Sequence, residues 1–146
     1  YFLPSVSLDK VGNYLKLSDA FLIHLINDPL FEITIPSKLQ TYLFMGKPII
    51  NAISGEGRDL IDKSGSSINA LSSDPDSIAS AAITLSGYSK DKLLDMGRMG
   101  KSFYKKNLSF EKGLSDFIEI FNSFSWDGCF IYYLNNGLII FLLSLI

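Results

Sequence analysis

The chain is poor in the side chains from which compact chemical centres are usually built. It has one cysteine, Cys129, and one histidine, His24. A single thiol excludes an internal disulfide framework and a cysteine-rich zinc site, and it suits a cytoplasmic chain. A single imidazole argues against a histidine-based metal centre, so neither a metal nor a cofactor is expected. Charge of either sign is also in short supply. Thirteen Lys and Arg against fifteen Asp and Glu leave a formal net charge of −2, no footprint for nucleic acid. No basic segment leads into a short apolar core with a small-residue cleavage site, so no signal peptide is expected.

Apolar residues are plentiful. At 146 residues, 47% hydrophobic and 13% aromatic, the chain can bury one core, and one main domain is the expectation. Tyr1-Phe2-Leu3 reads as the end of a strand and Pro4 to Ser7 as the loop after it, with Ser7 capping a helix over Leu8 to Leu17. Opening on a strand is what a partial chain would do. Ala20 to Ile26 is a near-continuous apolar strand of the kind buried on both faces of a parallel sheet. His24 lies near its carboxyl end, either as a hydrogen-bonded core or loop residue or as a group at the ligand edge.

The organising stretch follows, from Asn27 to Ile50. A polar loop leads to a helical segment from Ile35 to Met45, with Leu39, Tyr42 and Leu43 on one face and Gly46 at its left-handed end. Lys47 to Ile53 is the next strand. In such a strand, loop, helix, strand unit the loop lies at the carboxyl edge of the sheet, where ligands bind and where the helix N-terminus favours an anion. Pro36 suits the first turn, Thr34 is a plausible cap, and Ser37 and Lys38 add a hydroxyl and a cation. Glu32 would repel a phosphate unless it has its own hydrogen-bonding task, which sugar hydroxyls would provide.

The run Phe31-Glu32-Ile33-Thr34-Ile35-Pro36-Ser37-Lys38, together with Tyr42 and Gly46-Lys47-Pro48-Ile49-Ile50, resembles the donor-binding region of family 4 retaining glycosyltransferases of the GT-B fold. Within that group it is most similar to bacterial enzymes of O-antigen, capsule and N-acetyl-fucosamine-type polysaccharide assembly. The resemblance spans Tyr1 to about Phe124. It implies an α/β fold: a Rossmann-like parallel sheet with flanking helices, the incomplete C-terminal half of a GT-B enzyme, followed by C-terminal helices. Residues 1–124 would be a partial nucleotide-sugar-binding domain, and 125–146 an apolar tail.

By the same resemblance, Glu32 would hold the transferred sugar and Ile33 would belong to the donor site. Thr34, Ser37 and the first-turn amides would hold the diphosphate, with Lys38 contributing charge. The family's fingerprint places a second glutamate after seven intervening residues, for the ribose. Counting back from Gly46 puts that position on Thr41, with one extra residue in the interval, and leaves Gln40 as the candidate substitute. Base contacts would fall around Leu3 to Ser5. The implied ligand is a nucleoside diphosphate sugar, by family habit a uridine diphosphate sugar. The implied partner is an N-terminal acceptor domain, which this chain does not contain, so little activity is expected of it alone and no catalytic residue is assigned.

Ser54-Gly55-Glu56-Gly57 reads either as a tight turn into a helix over Arg58 to Lys63 or as a close backbone approach to a ligand. Ser66 to Leu71 is a short strand. Asp74-Pro75 and Ser89 start two helices, the second with Lys101, Lys105 and Lys106 near its end, either complementing the helix dipole or touching anionic lipid at the inner face of the cell membrane. Ser109-Phe110-Glu111 starts a last helix whose Leu114, Phe117, Ile118 and Phe121 read as core. From Cys129 to Ile146 no residue is charged. That tail is open to three readings: a short membrane span, a hairpin turning at Asn136-Gly137, or non-native sequence beginning near Phe124, the reading preferred on the abruptness of the change.

Overall fold

The computed structural model describes residues 4–123 and the backbone of residues 131–133 and 139–141. The chain divides into two compact units, Tyr1–Lys112 and Gly113–Ile146. The first is a mixed α/β unit, a three-stranded parallel sheet flanked by helices and compatible with a Rossmann-like arrangement. Its elements are α1 (Leu8–Leu17), β1 (Phe21–His24), α2 (Pro29–Glu32), α3 (Ser37–Met45), β2 (Ile49–Ala52), α4 (Gly55–Ser64), β3 (Ser67–Asn69), α5 (Pro75–Ser86) and α6 (Lys90–Asn107). The helix α7 (Phe110–Ser123) follows. Strands lie in the order β1-β2-β3, with Phe21 opposite Ile49 and Ile49 opposite Ser67.

All four residues of β2 are buried, as expected of a central strand covered on both faces. Because side chains alternate along a strand, Ile49 and Ile53 join Ile23 of β1 on one face, against Leu39 and Leu43 of α3 and Ile61 of α4. Ile50 and Ala52 point the other way, to Ala81 and Leu85 of α5 and Met96 of α6. Leu39 and Leu43 are one helical turn apart and fully buried, so the 39–43 stripe docks α3 on the sheet. Tyr42 reaches β1, its ring stacked on Phe21 with centroids 4.3 Å apart.

One β2 side chain is polar. Asn51 is fully buried and donates from Nδ2 to Oδ1 of Asn69, its partner across the ladder, at 3.0 Å. Asn69 in turn donates to the Asp62 carboxylate of α4 at 3.1 Å. A carboxylate only accepts, so Asp62 orients the Asn69 amide, and Asn69 then orients Asn51. Asn51 Oδ1 is left without a hydrogen-bond partner. The chain of bonds ties β2, β3 and α4 in one register.

Helix α6 crosses the C-terminal ends of α3 and α4. A Cβ on Gly97 would lie 2.1 Å from the Gly46 carbonyl oxygen, and one on Gly100 would lie 2.8 Å from Ser66 Cβ. Backbone thus meets backbone where α3 ends. Gly46, at φ 68°, closes that helix as expected. Caps at Asp74, Ser89 and Ser109 form as expected, each side chain accepting from the amide three residues on. Ser7 precedes α1 but makes no side-chain cap bond.

Several boundaries differ from the sequence reading. The loop before α3 contains a helical turn, α2, because Asp28 caps it by accepting from the Leu30 amide at 2.8 Å and Pro29 presets its first residue. Helix α3 starts at Ser37 rather than Ile35, with Pro36 as its N-cap. Helix α4 starts at Gly55, three residues earlier than expected, with Glu56 in its first turn. β1, β2 and β3 are all shorter than the apolar runs that announce them. The core role expected for α7 is overturned: it has no buried residue, and Phe110 and Phe117 are exposed.

In the tail, β4 (Ile131–Tyr133) pairs antiparallel with β5 (Ile139–Phe141), the pattern of the hairpin reading rather than of a span. The expected turn at Asn136-Gly137 lies outside the described residues, as does the expected strand end at Tyr1 to Leu3. No helix among the described residues is long and apolar enough to cross a membrane.

Gly97→Ala should lower stability by about 1–3 kcal/mol in urea unfolding despite its gain in helix propensity, because its methyl meets backbone. Gly12→Ala in α1 has nothing within 4 Å and should stabilise by roughly 0.5–1 kcal/mol. Burial pushes the Tyr42 phenol above the usual tyrosine range. The unfolded phenol therefore ionises first, and its contribution, intact below about pH 10, is lost as pH rises through the folded value. Urea unfolding across that range should show a shallower alkaline loss for Tyr42→Phe than for the parent chain.

Candidate functional site

Parallel strands send every following loop to one edge of the sheet. The β1–α2 segment, the start of α4 after β2 and the loop between β3 and α5 therefore gather at the carboxyl edge. Contacts there are close. A Cβ on Gly55, which sits at φ 68°, would lie 1.9 Å from the Glu32 carbonyl oxygen. One on Gly57 would lie 3.1 Å from the Thr34 carbonyl oxygen and 3.2 Å from Pro36 Cδ. The backbone from Glu32 to Pro36 is thus draped over the first turn of α4, and the N-termini of α3 and α4 lie side by side. The close approach that Gly55 and Gly57 permit is made to the protein's own chain rather than to a ligand.

The two helix ends differ electrostatically. Helix α3 has no acid in its first turn and carries Lys38 there, whereas Glu56 stands in the first turn of α4. An anion is favoured at α3 and opposed at α4. Leu39 donates its amide to the Pro36 carbonyl at 3.0 Å, leaving the Ser37 and Lys38 amides as the first-turn donors open to a ligand or water. Ser37, Lys38 and Gln40 are exposed, and Gln40 follows Ser37 at the three-residue spacing that shares a helix face. Glu32 is exposed at the end of α2, and Ile33 beside it is 69% exposed.

Thr34 does not cap α3. Its hydroxyl donates to the Leu30 carbonyl at 2.7 Å, and its amide donates to Phe31 O, so it closes α2 instead. That bond takes up the proton it would offer a phosphate. The structure therefore brings the first-turn amides, Ser37, Lys38 and Gln40 onto one helix end, with Glu32 and Ile33 in the segment before it, and engages the Thr34 hydroxyl with α2. The base contacts expected at Leu3 to Ser5 begin outside the described residues. No group of acidic, cysteine or histidine side chains able to hold a metal occurs among the described residues.

The sequence reading missed a clasp at the same edge. His24 Nε2 accepts from the Ser73 amide at 3.3 Å, and the Ser73 hydroxyl accepts from the Asn27 amide at 3.2 Å. The Ser72 hydroxyl donates to the Leu25 carbonyl. His24, the last residue of β1, is accordingly a hydrogen-bonded residue that ties the strand end to the loop before α5. Ser73 is held at φ 59°, costly for a residue with a Cβ, and the bonds on either side of it maintain that conformation. The Ser72-Ser73 pair before the Asp74-Pro75 cap was the available signal.

No protein-family model, curated protein or solved structure matches the chain. The fold defines a class, a mixed α/β unit with a three-stranded parallel sheet flanked by helices.

Gly55→Ala combines a positive φ with a methyl driven into the Glu32 carbonyl. It should cost about 2–4 kcal/mol in urea unfolding. Glu56→Ala, one exposed residue further on, should change stability by less than about 0.5 kcal/mol.

Proposed function

We propose that this chain is the donor-binding part of a retaining GT-B glycosyltransferase of the bacterial O-antigen and capsule type, taking a nucleoside diphosphate sugar, by family habit a uridine diphosphate sugar. The observation that carries the proposal is the asymmetric pair of helix N-termini at the carboxyl edge. The α3 end has free first-turn amides, Ser37 and Lys38 and no acid, and the exposed Glu32 lies one short turn before it. In this reading the diphosphate meets the α3 amides, with Ser37 and Lys38 on the same turn. Leaving-group charge that develops on it during transfer is stabilised there. Glu32 accepts hydrogen bonds from hydroxyls of the sugar. Gln40 lies on the Ser37 face, where it can meet the ribose, and Ile33 provides apolar contact.

The acceptor, in this reading, is held against the anomeric carbon by the other domain of such enzymes. The chain by itself then binds donor without turning it over. The work is cytoplasmic, at the inner face of the membrane, where lipid-linked acceptors are presented.

Isothermal titration with uridine diphosphate and with a uridine diphosphate N-acetyl sugar tests the reading. Both should bind the parent chain. Glu32→Ala should weaken only the sugar form, by about tenfold or more, the worth of a charge-assisted hydrogen bond. Lys38→Ala should weaken both ligands equally. Failure of the folded chain to bind either ligand refutes the proposal, and equal weakening of both by Glu32→Ala removes Glu32 from sugar recognition.

A further inference from the structure

At the opposite edge of the sheet from the crevice, α4 and α6 enclose a cleft of about 270 Å³. Its lining includes Lys63, Met99, Ser102, Phe103, Lys106 and Asn107. Lys63 stands in the last turn of α4 and Lys106 in the last turn of α6. Each lysine complements the dipole of its own helix. What dipole complementation does not account for is that two ammonium groups from different helices rim one cavity. Neither is in an ion pair among the described residues.

On the α6 side, between Asp95 and Glu111, the chain has no acid but has Arg98, Lys101, Lys105 and Lys106, whereas on α4 Asp59 and Asp62 precede Lys63. Four of the chain's thirteen Lys and Arg fall in that acid-free stretch. The cleft also has an apolar wall, where Met99 is 44% exposed and Phe103 lies half-buried. Cations around an apolar lining match a phosphate that carries a hydrocarbon neighbour better than they match a free ion. An extended polyanion would call for a track of exposed stacking aromatics, which this single cleft does not provide.

We propose that the α4–α6 cleft and its lysine rim seat the headgroup phosphate of an anionic phospholipid and dock this unit on a bilayer surface. Charge at the rim and apolar contact in the cleft are the two signals that reversible surface binding needs. Because α4 begins at the carboxyl edge and ends at this cleft, docking here leaves the crevice open to the water phase. The proposal does not depend on what the crevice binds.

Vesicle flotation of the full chain tests it, with phosphatidylcholine alone and with equal parts phosphatidylcholine and phosphatidylglycerol. The chain should float with the mixed vesicles and not with phosphatidylcholine alone, and binding should weaken as salt is raised. Lys63→Gln/Lys106→Gln should lower the partition coefficient by about tenfold or more, since each lysine near an anionic leaflet contributes about 1 kcal/mol. Lys10→Gln/Lys16→Gln, the same charge change on exposed positions of α1, should leave it within about twofold. Equal flotation on phosphatidylcholine would show that apolar surface elsewhere is responsible and overturns the proposal. So does salt-insensitive binding, no flotation at all, or retention of full binding by the cleft variant.

Discussion

The burial of β2 on both faces is the constraint on which the first unit depends. Its four residues make no contact with water to speak of, so each must be covered, and the covering elements are the helices that its own alternation selects. Ile49 and Ile53 recruit α3 and α4, and Ile50 and Ala52 recruit α5 and the early part of α6. A strand buried in this way cannot shift by one residue without exchanging its two faces. The Asn51–Asn69–Asp62 bonds reinforce the same register from the polar side, since a slipped β3 would leave the buried Asn51 Nδ2 unpaired as well as its Oδ1.

Once the register is set, the two ends of the sheet acquire different characters. At the carboxyl edge the chain crowds against itself, with Gly55 under Glu32 and Gly57 under Thr34 and Pro36. That crowding carries the α3 N-terminus to the crevice and holds the acid of α2 beside it. At the other edge α6 closes over the ends of α3 and α4, and its close seating at Gly97 and Gly100 brings the basic end of α6 beside the basic end of α4.

Much of this was legible locally. The apolar runs marked β1 and β2, Asp74-Pro75 and Ser89 marked helix starts, and Gly46 marked a helix end, because each signal is a property of neighbours in sequence. The misplacements share a cause. Thr34 and Pro36 both looked like first-turn residues, and the choice between them depended on whether Asp28 would nucleate an extra turn whose last carbonyls needed Thr34. Apolar stripes overstated strand length and, in α7, overstated burial, because hydrophobicity records a preference for cover and not whether a partner is there. The His24–Ser73 bond joins residues 49 apart in sequence, a separation that no periodicity reports.

The amino-acid sequence by itself determined an alternating α/β order, a helix N-terminus with Ser37 and Lys38 and without acids, and a basic end to α6. These follow from composition, spacing and the backbone preferences of single residues, which act over a few positions. Only the tertiary structure decided that Thr34 serves α2, that Gly55 and Gly57 make room for protein backbone, and that His24 belongs to a clasp. It alone decided that Lys63 and Lys106 share one cleft. Those outcomes depend on which surfaces meet after the sheet is assembled, and the free energy that selects them comes from burial and hydrogen bonding between segments far apart in the chain.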